Sequence, residues 1–218
     1  MKEVQDHWFR LAKAEGYRAR SAYKLLELDE RLRLLRKGDR VLDAGAAPGS
    51  WTQVAARLVG ERGRVESVDL KAIDPKGLPA NVRVHQADLR EITYESLGGG
   101  LFDAVISDMA PDTSGVPMAD AAISCRLCHA LLDRCAHLLR PGGNLVMKVF
   151  EGADYPELLK RARSLFTEAG ASKPKASRAE SVEIFIWGKG WRPPQSGGDG
   201  GVARERPKPG AGWKSTGG

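Results

Sequence analysis

Cysteine is scarce in this chain: three of 218 residues, Cys125, Cys128 and Cys135, all in one segment. An odd number so placed excludes a disulfide framework. Cys125-Arg126-Leu127-Cys128 has CxxC spacing, with His129 and His137 nearby. No second ligand pair follows and the segment reads as one helix, so these are small buried helix residues and no metal is expected. Long apolar runs are also missing. Nothing approaches the roughly 18 residues of a membrane span, and Met1-Lys2-Glu3-Val4-Gln5-Asp6 lacks the apolar region of a secretory signal. No membrane association and a cytoplasmic location are therefore expected. No internal repeat is evident.

What the chain does have is enough apolar residue, 42%, to bury the core of one domain, and an excess of 34 Lys and Arg over 28 Asp and Glu, a net of +6. That balance favours a polyanionic partner, nucleic acid first among them. Residues 1–40 form a basic helical flank with interleaved Trp8, Phe9, Tyr17 and Tyr23. Ser21 is placed to cap a helix carrying Ala22, Leu25, Leu26, Leu28 and Leu32. In Gly16-Tyr17-Arg18-Ala19-Arg20-Ser21, two arginines beside a tyrosine suit phosphate and base contact.

The chain is organised around Val41-Leu42-Asp43-Ala44-Gly45-Ala46-Ala47-Pro48-Gly49-Ser50-Trp51, a short apolar strand breaking into a glycine turn and then a helix. The turn has a GxxxG form and lacks the third glycine of a GxGxxG dinucleotide fingerprint, which disfavours a nicotinamide cofactor. A second strand over 63–70 ends at Asp69, about twenty positions on, where a carboxylate faces the ribose of a bound nucleoside. A third over 81–89 ends at Asp88, placed to read an adenine amino group; His85 within it is structural. A fourth over 102–111 contains Asp108 and is followed by a turn-rich Asp112-Thr113-Ser114-Gly115. A long helix then runs to Leu138, a fifth strand spans 144–150, a helix covers about 156–168, and a last strand spans 181–187.

These alternating elements imply an α/β fold, a parallel sheet with helices on both faces and ligands beyond the carboxyl ends of its strands. Lys148 and Glu183 interrupt otherwise apolar strands. A buried charge costs several kcal/mol unless partnered, so the two are expected to share a pocket with Asp108. The domain is expected over 1–190, with its basic flank to about residue 38. From 191 to 218 a Gly- and Pro-rich basic tail shows no apolar periodicity and reads as disordered.

Asp43-Ala44-Gly45-Ala46-Ala47-Pro48-Gly49-Ser50-Trp51, Ser107-Asp108-Met109-Ala110-Pro111, Val146-Met147-Lys148-Val149-Phe150 and Ser177-Arg178-Ala179-Glu180-Ser181-Val182-Glu183, with the upstream Tyr17-Arg18-Ala19-Arg20-Ser21-Ala22-Tyr23-Lys24, resemble the FtsJ/RrmJ (RlmE) ribose methyltransferases. The resemblance spans about Gly16 to Trp187. Ala44 and Ser50 stand where a leucine and a glycine are usual, and Glu180 where the family is often basic. It implies a Rossmann-like methyltransferase fold with a last antiparallel strand, S-adenosylmethionine as cofactor, and methylation of a uridine ribose 2′-hydroxyl in 23S rRNA of the large ribosomal subunit by a monomeric enzyme. By motif, Lys24, Asp108, Lys148 and Glu183 match the family's catalytic tetrad. Gly49, Trp51, Asp69, Asp88 and Asp108 match its cofactor positions. Two other readings share the same residues: a ribose methyltransferase acting on tRNA, and a catalytically silent RNA-binding assembly module.

Overall fold

Val41-Leu42 and Val105-Ile106 are aliphatic runs too short for helices and too apolar for an edge, and they form the middle of the sheet. The computed structural model describes residues 2–177 and 180–193. In chain order they comprise α1 (Lys2–Ala14), α2 (Ala22–Leu32), β1 (Arg40–Ala44), α3 (Ser50–Val59), β2 (Arg64–Asp69), β3 (Val82–Gln86), β4 (Phe102–Ser107), α4 (Pro117–Leu138), β5 (Leu139–Phe150), α5 (Tyr155–Leu165), β6 (Phe166–Ser172) and β7 (Glu183–Trp191). The seven strands make one sheet in the order β3-β2-β1-β4-β5-β7-β6. From β3 to β5 every pairing is parallel, whereas β7 runs antiparallel to both β5 and β6. The doubly wound architecture and its last antiparallel strand are as expected; β7 lies between β5 and β6, and β4 stops at Ser107, short of the expected Pro111, where the chain leaves the sheet.

Successive side chains of a strand point to opposite faces. Leu42, Val105, Leu145 and Met147 pack on one side with Leu131, Leu138 and Leu158 of α4 and α5. Val41, Ile106, Val146 and Phe185 pack on the other with Leu25 and Leu28 of α2 and Trp51 and Val54 of α3. Each such side chain contributes about 1.5–3 kcal/mol by leaving water. Asp43, Lys148 and Glu183 share the parity of Val41, Val146 and Phe185, so all three face the α2 and α3 layer.

Strand limits differ from the expected ones where the local pattern is weak. α5 stops at Leu165, three residues short of Glu168, and Phe166–Ser172 forms β6 instead. This strand is half exposed, holds Gly170 and, among the described residues, has β7 as its one neighbour, so it shows no apolar alternation. β5 starts at Leu139, which pairs with Phe102 before an irregularity that Gly142, at φ 78°, accommodates. β7 continues to Trp191, past the expected boundary at 190, because Trp191 is buried with its ring edge-on to Phe166 at 5.1 Å. The tail anticipated over 191–218 lies, from residue 194, outside the described residues. Among the described residues no helix is long and apolar enough to cross a membrane.

The cysteines sit as small buried residues of α4. Burial pushes the Cys135 thiol up to about 12 and raises Cys128 further, while the Cys128 thiol donates to the Lys148 carbonyl at 3.2 Å. His85 bonds the fully buried Glu66 at 2.8 Å, a structural pairing between β3 and β2.

Candidate active site

The turn after β1 requires its glycines. Gly45 has φ 73°, and a Cβ there would stand 2.2 Å from the Met109 side chain, so the turn packs directly on the segment that follows β4. Gly49, at φ 104°, is the N-cap of α3, and a Cβ would meet the Arg18 guanidinium at 2.9 Å. Arg18 donates to the carbonyl of Pro48 at 2.8 Å and to those of Asp74 and Lys76 at 2.6 and 2.7 Å. The phosphate or base contact read for Arg18 is thereby corrected: its fork is committed to holding the turn against the loop after β2. Tyr17 is buried and accepts from Arg57 at 2.6 Å.

Ser21 also differs from expectation. It makes no cap bond to α2; its hydroxyl pairs with that of Ser50 at 2.7 Å, and its carbonyl accepts from Trp51 Nε1 at 2.9 Å. α2 is thus fastened to the first turn of α3. Trp51 is 1% exposed, so only its backbone at the helix amino terminus can face a ligand.

At the tip of β2, Asp69 accepts backbone N–H groups from Ala47 at 2.9 Å and Lys71 at 2.8 Å, which aims it back at the turn. Asp88, beyond β3, is gripped by the Arg90 guanidinium, whose hydrogen bonds hold its carboxyl below the usual range. Asp43 does not stand out in the sequence beyond its place in the strand before the glycine turn. It is fully buried, accepts from Thr52 at 2.6 Å and has no partner for Oδ1 among the described residues. Burial pushes its pKa up to about 7 against the Thr52 bond, with the charges of Asp108 and Asp69 adding to the rise. The criterion applied to Lys148 and Glu183, a charge inside an apolar strand, would have found it.

The four remaining charges form two pairs. Lys24 of α2 meets Glu183 at 2.5 Å, both nearly buried. Lys148 of β5 meets Asp108 Oδ1 at 2.9 Å in an ion pair too poorly aligned to satisfy that oxygen with a hydrogen bond, and donates to the Asp108 carbonyl at 2.8 Å. Register brings the pairs together. Lys148 lies opposite Phe185 and Glu183 opposite Phe150, so Lys148, Phe185 and Glu183 share one face of neighbouring antiparallel strands. Lys24 Nζ stands 5.9 Å over the Phe185 ring. Burial pushes the Glu183 carboxyl up, but the charge and close contact of Lys24, with the Lys148 charge behind it, outweigh burial and hold it below its usual range.

This strand order, with a glycine turn at the carboxyl end of β1 and carboxylates at the following strand tips, defines the Rossmann-like fold of the S-adenosylmethionine-dependent methyltransferases. The model of the FtsJ-like methyltransferases matches residues 17–191, and the chain belongs to that family. It is 45% identical over 196 residues to ribosomal RNA large subunit methyltransferase E of Chromobacterium violaceum, covering 88% of this chain and 94% of the relative. The protein of the same name from Nitratidesulfovibrio vulgaris is 46% identical over 199 residues, 88% of this chain and 96% of the relative. Among solved structures, a ribosomal RNA methyltransferase of Plasmodium falciparum superposes with a TM-score of 0.71 at 28% identity, covering 80% of this chain and 98% of that one. An S-adenosylmethionine-dependent O-methyltransferase of Thermotoga maritima shares the fold at a TM-score of 0.54 and 19% identity, over 76% and 63%.

Proposed function

We propose that the chain transfers a methyl group from S-adenosylmethionine to the 2′-hydroxyl of a uridine ribose in 23S rRNA of the large ribosomal subunit, acting in the cytoplasm. The observation that carries this reading is the double ion pair, Lys24 with Glu183 and Lys148 with Asp108, on one face beside the glycine turn. A silent binding module has no need of four buried or half-buried charges there, since each costs several kcal/mol to desolvate. The names of the relatives favour ribosomal RNA over tRNA.

The residues present fit the cofactor. Asp69 and Asp108 bring negative charge to the turn, enough to help raise the buried Asp43, whose Oδ1 has no partner among the described residues, and this suits a ligand bearing a sulfonium and an amino group. Asp69 and Asp88 would hold ribose and base, and the backbone at Gly49 and Trp51 the nucleoside edge. The cofactor supplies an electrophilic methyl group.

Everything else is asked of the chain. A ribose hydroxyl is a weak nucleophile at neutral pH and must shed its proton as the new C–O bond forms. Lysine has three N–H directions. Asp108 occupies Lys148 through its carbonyl and faces it with its carboxylate, fixing the amine and leaving a direction for the ribose oxygen. Lys148 is the candidate base when neutral, and when charged it steadies the developing alkoxide. Lys24 and Glu183 hold the substrate side and fix the strand that faces Lys148. The test is transfer of labelled methyl to naked rRNA, large ribosomal subunits and tRNA, with the modified position mapped. Label on a ribose of large-subunit rRNA is expected; label on a base, or on tRNA alone, would overturn the assignment.

A further inference from the structure

The amino-terminal end of the sheet, away from the ion pairs, carries a second concentration of charge. Arg40 opens β1, Arg64 opens β2 and Arg83 is the second residue of β3, so adjacent parallel strands bring three guanidiniums to one end. Arg57 from the last turn of α3 and Arg62 from the following turn join them. Together they line a groove of about 1100 Å³, in which Glu61 is the one carboxylate among the described lining residues.

These arginines divide by what they do. Arg40 is spent on the wall, donating to the carbonyls of Leu97, Gly99 and Gly100 and lying 4.4 Å over the Phe102 ring. Arg57 donates to Tyr17 and covers its ring. Arg62, Arg64 and Arg83 are exposed, and among the described residues their side chains make no hydrogen bond or ion pair. Burial lowers the Arg40 pKa, Glu66 opposes this, and the like charges of Arg64 and Arg83 lower it further. The fold gains nothing from gathering unpaired cations, whereas a phosphate chain in the groove relieves their repulsion and matches their forked donors.

We propose that this groove binds the sugar–phosphate backbone of the RNA substrate at a second point. It stands roughly 20–25 Å from the ion pairs, the length of a five- to six-residue strand combined with the three strand spacings from β2 to β5. The inference rests on the reading of the chain as an RNA methyltransferase. A concave groove admits a strand and not a flat bilayer, and contacts to phosphate position the RNA without reading its sequence.

The test compares the full chain with R62Q/R64Q/R83Q and with R126Q/K160Q/R163Q, which removes the same charge from exposed positions of α4 and α5. Equilibrium binding to large-subunit rRNA is measured from about 50 to 200 mM salt. The groove variant is expected to bind at least ten-fold more weakly, with a log K against log salt slope shallower by about two, the loss of three phosphate contacts at about 0.7 each. R62K/R64K/R83K should restore the slope. At saturating RNA the groove variant should keep its kcat while KM rises. Equal losses in the groove and control variants, or none in either, overturn the proposal. Groove-dependent binding without methyl transfer would refute the reaction alone; methyl transfer with an unchanged slope would refute the groove alone.

Discussion

Trp51 stacks on Phe185, ring centroids 5.7 Å apart and planes 26° from parallel. The helix that follows the glycine turn therefore leans on the strand that begins with Glu183. The glycine turn and the charged pairs are two ends of one packed unit, and substitutions at each end test different terms.

Lys148→Ala should abolish methyl transfer, a loss of at least 10²-fold in kcat, while S-adenosylmethionine still binds, because the lysine touches Asp108 and not the turn. Lys148→Arg keeps the charge but cannot take up a proton at neutral pH, and is expected to be equally inactive. Calorimetric titration of the cofactor alongside single-turnover kinetics checks both; substantial turnover by the arginine variant would assign Lys148 a purely electrostatic role.

Removing one member of the Lys24 and Glu183 pair leaves the other buried alone. Lys24→Met should cost about 3–5 kcal/mol in urea unfolding, and Lys24→Met with Glu183→Leu should recover most of it. Glu183 is held below its unfolded pKa, so its stabilisation is present above about pH 4.5 and lost as pH falls through the lowered native value. That acid-side loss should vanish in the double variant.

Asp43 behaves in the opposite sense. Its native pKa near 7 lies above the unfolded value of 3.8, so the folded chain binds the extra proton and stability falls as pH rises between them. The full penalty above pH 7 is about 4 kcal/mol at most. Asp43→Asn should match the parent near pH 4 and exceed it in stability at pH 8. Unfolding curves at the two pH values decide the matter, and a variant weaker by the same amount at both would contradict the buried-acid assignment.

Gly45→Ala places a methyl against Met109 at a φ that side chains avoid, and should cost at least about 2 kcal/mol. Adding Met109→Ala removes the closest contact, so thermal unfolding should show partial rescue, with the backbone term remaining.

β1, β4 and the core of β5 were legible in the sequence because burial on both faces imposes short apolar runs, Val41-Leu42, Val105-Ile106 and Leu145-Val146-Met147, whereas β2, with Glu66 and Ser67 between its valines, was placed by its distance from the glycine turn. β6 was not, since an edge strand pairing with one neighbour needs no such pattern. Lys148 and Glu183 stood out as charges among apolar residues. Lys24 did not, because an amphipathic helix displays charge routinely, and only the family resemblance marked it. Arg18 and Ser21 were misread for a common reason: their partners, Pro48, Asp74 and Ser50, lie some thirty to fifty-six residues away, and local pattern says nothing of such contacts.

Among the described residues β6 has no neighbour but β7, and β7 is their last strand. As the polypeptide is made, β6 must therefore wait beside an unfinished sheet until residues 183–191 emerge and slide between it and β5. The same late insertion delivers Glu183 to Lys24, 159 positions upstream. Assembly of the charged cluster thus waits on the closing of the sheet, and truncation just before β7 should release a chain with both an unpaired edge and a Lys24 deprived of its carboxylate partner.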